Sequence, residues 1–204
     1  MIAIVDYGSG NIAAIENIYR RLKVPYVVTR DPALLAAAER FILPGVGAFD
    51  ATMHRLHEAG IRAVLDEQVL GCRKKVMGIC VGMQILADSS EEGTLPGLGW
   101  IAGHVRRIET SKIESGPRLP HMGWNSILPR GEMPIFQDVN YERGFYFLHS
   151  YFFDAAHDED IAATVNYGSE MPCAVLRGNV VGMQFHPEKS HANGVAVFRN
   201  FASF

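Results

Sequence analysis

Long apolar runs are missing from this chain. Nothing in it approaches the ~20 residues of a membrane-spanning helix. A charge excess is missing too. Nineteen Lys and Arg stand against 22 Asp and Glu, so no basic surplus points to nucleic acid or an anionic membrane. Cysteine is scarce. Cys72, Cys80 and Cys173 are odd in number and have no CxxC spacing. A disulfide framework or a zinc site is therefore not expected, and a reducing cytosol fits. The opening "MIAIVDYG" lacks the basic leader and long apolar segment of a signal peptide and reads as a strand from residue 2. There is no internal repeat, low-complexity tract or clear linker. What the chain does have is apolar content. With 48% hydrophobic residues in 204, it suits one domain, residues 1–204, around a sizeable core.

The first half alternates short apolar runs with helical patterns. Ile2–Val5, Tyr26–Thr29, Phe41–Leu43 and Val76–Ile79 read as strands. Ser9 is placed to cap a helix through about Leu22, with Ile12, Ile15, Tyr19 and Leu22 on one face. Asp31 and Pro32 form an N-cap with an N1 proline for the helix "ALLAAAE". Amphipathic helices follow "PGVG" through Leu70, broken near Gly60, and Val81–Ala87 reads as a helix. Strands alternating with helices predict an α/β fold: a mostly parallel, twisted central sheet flanked by helices. From Gly97 to about Asn140 the expectation changes to short, mostly antiparallel strands. "FYFLHSYFF", "IAATVNY", "CAVLRG" and "VVGMQFH" read as further strands, and "GVAVFRNFASF" as a closing helix.

Gly78-Ile79-Cys80-Val81-Gly82 has the form GxCxG, the thiol counterpart of the hydrolase nucleophile elbow. A tight strand-to-helix turn strains the central residue, and its neighbours two positions away must be small. The thiol then stands at a helix N-terminus, where the dipole favours thiolate and the Val81 N–H can face an oxyanion. Such a thiol needs a base, and the base an orienter. "GMQFHPEKS" supplies both: His186 and Glu188 are two apart at a strand end, and Pro187 stiffens the link. Glu188 can hold His186 in one tautomer, leaving its other nitrogen for Cys80.

GxCxG followed by HPE near the C-terminus resembles the class I (triad-type) glutamine amidotransferases. "DYGSGN", "PGVGAF", "GICVGMQIL", "PHMGWN", "YFLHSY" and "GMQFHPEKS" resemble, within them, the glutaminase subunits of imidazole glycerol phosphate synthases. These motifs run from residue 6 to 190 in family order. Departures are small: Val81 where leucine is common, and Lys75 where proline often precedes the strand. The resemblance implies glutamine hydrolysis by Cys80, His186 and Glu188 without cofactor or metal. It implies an oxyanion hole from Val46, Gly47 and Val81. Gly47, Gln84, Glu92, Ser150 and Tyr151 would bind substrate, with Glu91 leaving the Glu92 assignment open by one. It also implies that ammonia passes to a separate (β/α)8 cyclase subunit, a barrel for which 204 residues leave no room. Asn11, Trp124, Tyr146 and Lys189 match interface positions, though Trp124 also reads as a core residue. Such subunits are weak glutaminases until the partner binds its nucleotide, so the Gly45-Val46-Gly47 turn is expected to idle in the lone chain.

Competing readings explain less. Gly8–Ala13 satisfies the loose GxGxxG/A dinucleotide pattern, but Asp6 and Tyr7 separate it from the strand, and Asp31 is already a helix start. His186, Glu188 and His191 form no convincing metal set. His54 and His57 suit an exposed helix face. A cysteine peptidase or amidase on the same elbow and a non-catalytic subunit stay open.

Overall fold

The computed structural model describes residues 1–109, 111 and 118–204. Residues 110 and 112–117 belong to the stretch expected to form short antiparallel strands, and there that expectation lies outside the described residues. In chain order the elements are β1 (Ile2–Val5), α1 (Ile12–Leu22), β2 (Tyr26–Thr29), α2 (Pro32–Ala37), β3 (Arg40–Gly45), α3 (Phe49–Glu58), α4 (Arg62–Asp66), β4 (Lys75–Cys80) and α5 (Val81–Gln84). Then come β5 (Ser89–Ser90), β6 (Gly103–Arg107), β7 (His121–Asn125), β8 (Leu128–Pro129), β9 (Phe145–His149), β10 (Tyr151–Ala155), β11 (Ile161–Asn166), β12 (Glu170–Arg177), β13 (Val180–Met183) and α6 (His191–Ser203).

Eight strands form one sheet in the order β2-β1-β3-β4-β13-β12-β11-β8. Pairing is parallel from β2 to β13 and antiparallel from β13 to β8. β1, β4 and β13 are apolar and almost wholly buried, as strands covered on both faces must be. α1 packs with α6, and α2 with α4, over this sheet. Tyr19 of α1 meets Phe198 of α6 edge-on at 5.5 Å. β10-β6-β5 and β7-β9 are two smaller sheets. No helix among the described residues is long and apolar enough to cross a membrane.

Several local expectations need correction. "FYFLHSYFF" is two strands, β9 and β10, parted at Ser150 into different sheets, and the strand of "VVGMQFH" ends at Met183. Ser9 does not cap α1. Gly8 and Gly10 take positive φ, Gly10 lies against Pro44, and Asn11 precedes the helix without a side-chain cap. The Ser9 hydroxyl goes to Val46 instead. β3 does not stop at Leu43, because Pro44 and Gly45 stay in register with Ile79 and Cys80. α2 ends at Ala37, short of the predicted run, although Asp31 does cap it through Ala33 and Leu34 N–H. The helix after Cys80 is a single turn rather than Val81–Ala87. The carbonyls of Ile85, Leu86 and Ala87 accept from Leu98, Trp100 and Gly99, so that backbone pairs with residues 98–100 instead of continuing the helix. One turn carries little macrodipole, which weakens that part of the argument for a thiolate.

Candidate active site

The carboxyl ends of β3, β4 and β13 converge on one cleft of about 270 Å³. Cys80 closes β4 with φ 55 and ψ −113, a left-handed conformation that costs a non-glycine residue about 1–3 kcal/mol. The flanking glycines explain how the chain tolerates it. A Cβ on Gly82 would lie 1.9 Å from Leu43 O, and one on Gly78 would lie 2.4 Å from Gly82 O. Gly45 is a third member of this contact, since its Cβ would sit 2.3 Å from Gly82 N. The elbow therefore needs small residues on β3 as well as around the thiol.

His186 follows β13 and is tied to β9: its N–H donates to Tyr146 O at 2.8 Å. Ser190 locks the same turn, donating to His186 O at 2.6 Å and accepting from Tyr146 N–H at 3.0 Å. The His186 Nδ1 pairs with Glu188 Oε1 at 2.8 Å, with both side chains buried. The other Glu188 oxygen, Oε2, is buried without a hydrogen-bond partner. Burial alone would depress the His186 pKa. Hydrogen bonds to Cys80 and Glu188, with the charges of both, outweigh it and raise the pKa from 6.5 to about 10. The arrangement favours the protonated His186 ring.

Val46, Gly47, Val81, Gln84, Glu92, Ser150, Tyr151 and Lys189 line the cleft with Cys80 and His186. Glu92 and Glu91 diverge. Glu92 lines this cleft and accepts from Phe49 N–H at 2.8 Å, whereas Glu91 accepts from Arg107 N–H and lines a different cleft. Gln84 Nε2 is already engaged, with Gln184 Oε1 at 3.0 Å and Tyr151 O at 3.3 Å. Val81 N–H, the first of α5, has no acceptor within its helix. Val46 N–H donates to Ser9 Oγ at 3.0 Å, and that hydroxyl donates back to Val46 O at 3.2 Å. Gly47 has φ +104 with open space around its Cβ position, so it is the conformational glycine of this turn and Gly45 the packing one.

Sequence reasoning overlooked Gln184, which is fully buried and aims Nε2 at Cys80 Sγ from 3.8 Å. It also overlooked Pro120, Leu148 and His149 on the cleft wall. The last three sit inside "PHMGWN" and "YFLHSY": the second motif was expected to grip substrate through the Ser150 and Tyr151 backbone, but neither motif singled out these three side chains. Trp124 is 48% exposed and therefore not a core residue. It meets Tyr146 edge-on at 6.5 Å and stacks on His191 at 5.2 Å. Lys189 Nζ lies 5.6 Å from the Tyr146 ring centre. Asn11 stands at the head of α1, which packs on the Pro187–Lys189 turn. Larger clefts of about 630 and 790 Å³ line no cysteine–histidine pair.

A cysteine on a strained elbow, an ion-paired histidine and a mixed α/β sheet define an amidotransferase-type hydrolase. The chain belongs to the class-I glutamine amidotransferase family, whose profile matches residues 3–203. It is 50% identical over 202 residues to imidazole glycerol phosphate synthase subunit HisH of Bdellovibrio bacteriovorus, covering 99% of both chains. It is 44% identical over 203 residues to the subunit of the same name from Leptospira borgpetersenii, covering both fully. A solved glutamine amidotransferase at 18% identity shares the fold, with a TM-score of 0.71 over 100% of this chain and 99% of that one.

Proposed function

We propose that this chain is the glutaminase subunit of an imidazole glycerol phosphate synthase. It hydrolyses L-glutamine to glutamate and ammonia and passes the ammonia to a separate (β/α)8 cyclase subunit. That subunit makes imidazole glycerol phosphate and aminoimidazole carboxamide ribonucleotide in L-histidine biosynthesis, in the cytoplasm. One observation carries the glutaminase reading: Cys80, held left-handed at the end of β4, shares a cleft with the buried His186–Glu188 pair. Full-length likeness to HisH subunits supports the finer assignment.

The chemistry follows from the geometry. Cys80 thiolate, with Gln184 Nε2 beside it, attacks the side-chain amide carbon of glutamine. The oxyanion forms against Val81 N–H. His186 gives its proton to the departing nitrogen as the C–N bond breaks, leaving a thioester and ammonia. The neutral ring then takes a proton from water, whose oxygen forms the new bond as the C–S bond breaks. Glutamate leaves, and the thiolate and imidazolium are restored. Glu188 fixes Nδ1 throughout. Glu92 and the Ser150–Tyr151 backbone hold the amino-acid end of the substrate.

The second oxyanion donor is the regulated one. With Val46 N–H held by Ser9, the turn is idle. Nucleotide on the cyclase subunit favours a flipped turn through the interface, by no more than its differential affinity for the two states. Asn11, Trp124, Tyr146 and Lys189 belong to that interface. Its position is supported by Lys189, which both lines the cleft and contacts the exposed aromatic cluster.

Glutaminase assays with and without the cyclase subunit and its nucleotide test the proposal. Strong stimulation is expected. Turnover of peptides or esters by the lone chain, with no partner dependence, would instead identify a free-standing amidase.

A further inference from the structure

Beside the triad lies a second pair of histidines that the chemistry above does not use. His121 Nδ1 and His149 Nε2 are 2.9 Å apart in the core. His149 Nδ1 is 2.8 Å from Tyr151 O. His121 Nε2 is 3.2 Å from Asn125 Nδ2, which also donates to Asn166 O at 2.9 Å. The His121 ring is stacked between Phe147 at 4.6 Å and Tyr167 at 4.1 Å.

The partners fix every proton. A carbonyl only accepts, so His149 carries its hydrogen on Nδ1. Its Nε2 must then accept, so His121 also carries its hydrogen on Nδ1. The Nε2 of His121 accepts in turn, from the Asn125 amide. Protonating either ring would set two N–H groups against each other. Burial disfavours it as well, lowering His121 to about 4 and His149 to about 3. A neutral His149 also adds no positive charge beside the His186 imidazolium.

The chain points at the cleft. Tyr151 O is the terminal acceptor, shared with Gln84, and Gln84 leads through Gln184 to Cys80 Sγ. His149 and Tyr151 bracket Ser150, where the backbone leaves the β7-β9 sheet for the β10-β6 sheet. At this crossover Ser150 O accepts from Ile108 N–H at 3.0 Å, and the His149–Tyr151 bond closes the turn from the other sheet. The other end of the relay starts on β7. Alternation along that strand buries His121 and turns Met122 (61% exposed) and Trp124 outward.

We propose that His121 and His149 are positioning residues for glutamine, a one-way hydrogen-bond relay from β7 that fixes the Ser150–Tyr151 backbone beside Cys80. It rests on the reading above that this backbone grips the amino-acid end of the substrate. The relay also couples the exposed face of β7 to the cleft, since one strand carries both.

The test uses the complex with the cyclase subunit. His121→Phe keeps the stacking and removes the donor, leaving His149 Nε2 unpaired. The KM for glutamine is expected to rise about tenfold, the scale of one lost buried hydrogen bond. Turnover with ammonium salts should be unchanged, and kcat with glutamine should change less than KM. His121→Asn, whose Nδ2 falls near the ring Nδ1, should recover most of the loss. Nitrogen NMR of the imidazoles should show two neutral Nδ1–H rings that do not titrate from pH 5.5 to 8.5. An unchanged KM in His121→Phe, a loss that Asn does not rescue, a loss of ammonium-dependent turnover, or an Nε2–H or titrating ring would each overturn the relay. If His121→Phe fails to fold, the NMR result on the wild type decides. Glutaminase activity surviving in Cys80→Ala would overturn the underlying site reading instead, independently of the histidines.

Discussion

Removing the Ser9 hydroxyl tests the idle turn most directly. Ser9 is buried, and its Oγ bonds both Val46 N–H and Val46 O, clamping the two peptides on either side of Val46. Neither bond involves a charged group, so each contributes about 0.5–1.5 kcal/mol net. Val46 is 42% exposed, so water replaces part of what Ser9→Ala removes. A net release of about 1 kcal/mol follows, which is a factor of about five in the balance between held and free turns. While the competent form is rare, basal activity scales with its population. Ser9→Ala should therefore raise the glutaminase rate of the lone chain about fivefold. The rate with partner and nucleotide should hardly move, so the stimulation ratio falls by the same factor. The assay is glutamate release by the isolated subunit and by the complex, with circular dichroism confirming the fold. A folded Ser9→Ala variant with an unchanged or lower basal rate would refute the clamp. Gly47 is the companion site. A Cβ there meets nothing within 4 Å, but a β-branched residue cannot easily hold φ +104, whereas any side chain on Gly45 would collide with the elbow itself. Stimulation should be lost at Gly47 with partner binding kept, while Gly45 variants should lose the active site outright.

Cys80→Ala should abolish glutamine hydrolysis and keep partner binding, and ammonium salts should restore synthesis by the complex; a folded complex that ammonium cannot rescue would contradict the division of labour. A glutamine-analogue electrophile should label Cys80 and spare Cys173, whose thiol burial pushes well above its usual range, and Cys72, which faces Glu67 at the surface; mass spectrometry reads the site. His186→Ala should remove nearly all glutaminase activity, and Glu188→Gln less, because packing still holds the ring; equal losses would argue for a different role of the carboxylate. His121 and His149 stay neutral in the fold while their unfolded rings protonate below pH 6.5, so they stabilise fully above that pH and less as pH falls toward about 4 and about 3. Wild type should lose stability about 1.4 kcal/mol per pH unit faster than His121→Phe in that window, read by urea unfolding at pH 6 and pH 4.5. Trp124→Ala should weaken cyclase binding about thirtyfold in titration calorimetry, and a change under twofold would move the interface elsewhere.

Much of this protein is written in local pattern. Apolar runs at Ile2–Val5 and Val76–Ile79 became strands where the sequence puts them, since a buried parallel strand needs little beyond continuous apolar residues, and Tyr26–Thr29 became the half-buried edge strand beside β1. GxCxG marked the elbow because its glycines answer a backbone constraint that is itself local. HPE held its pairing locally, as two side chains two residues apart meet across one turn, although β9 and Ser190 hold that turn in place. Where local pattern ended, so did legibility. Ser9 looked like a cap, and only the closure of β3 against β1 brings it to Val46. The helix after Cys80 looked three residues longer, and only the 98–100 segment takes its carbonyls. Glu91 and Glu92 could not be told apart by position, because both lie in the turn after β5 and their partners, Arg107 N–H and Phe49 N–H, are brought in from elsewhere in the fold. Gln184 reaches the thiol across 104 residues of chain, and Gln84 reaches Tyr151 O across 67. Contacts over such separations have no period or spacing in sequence. They exist only once the sheet has folded and three strand ends share one cleft.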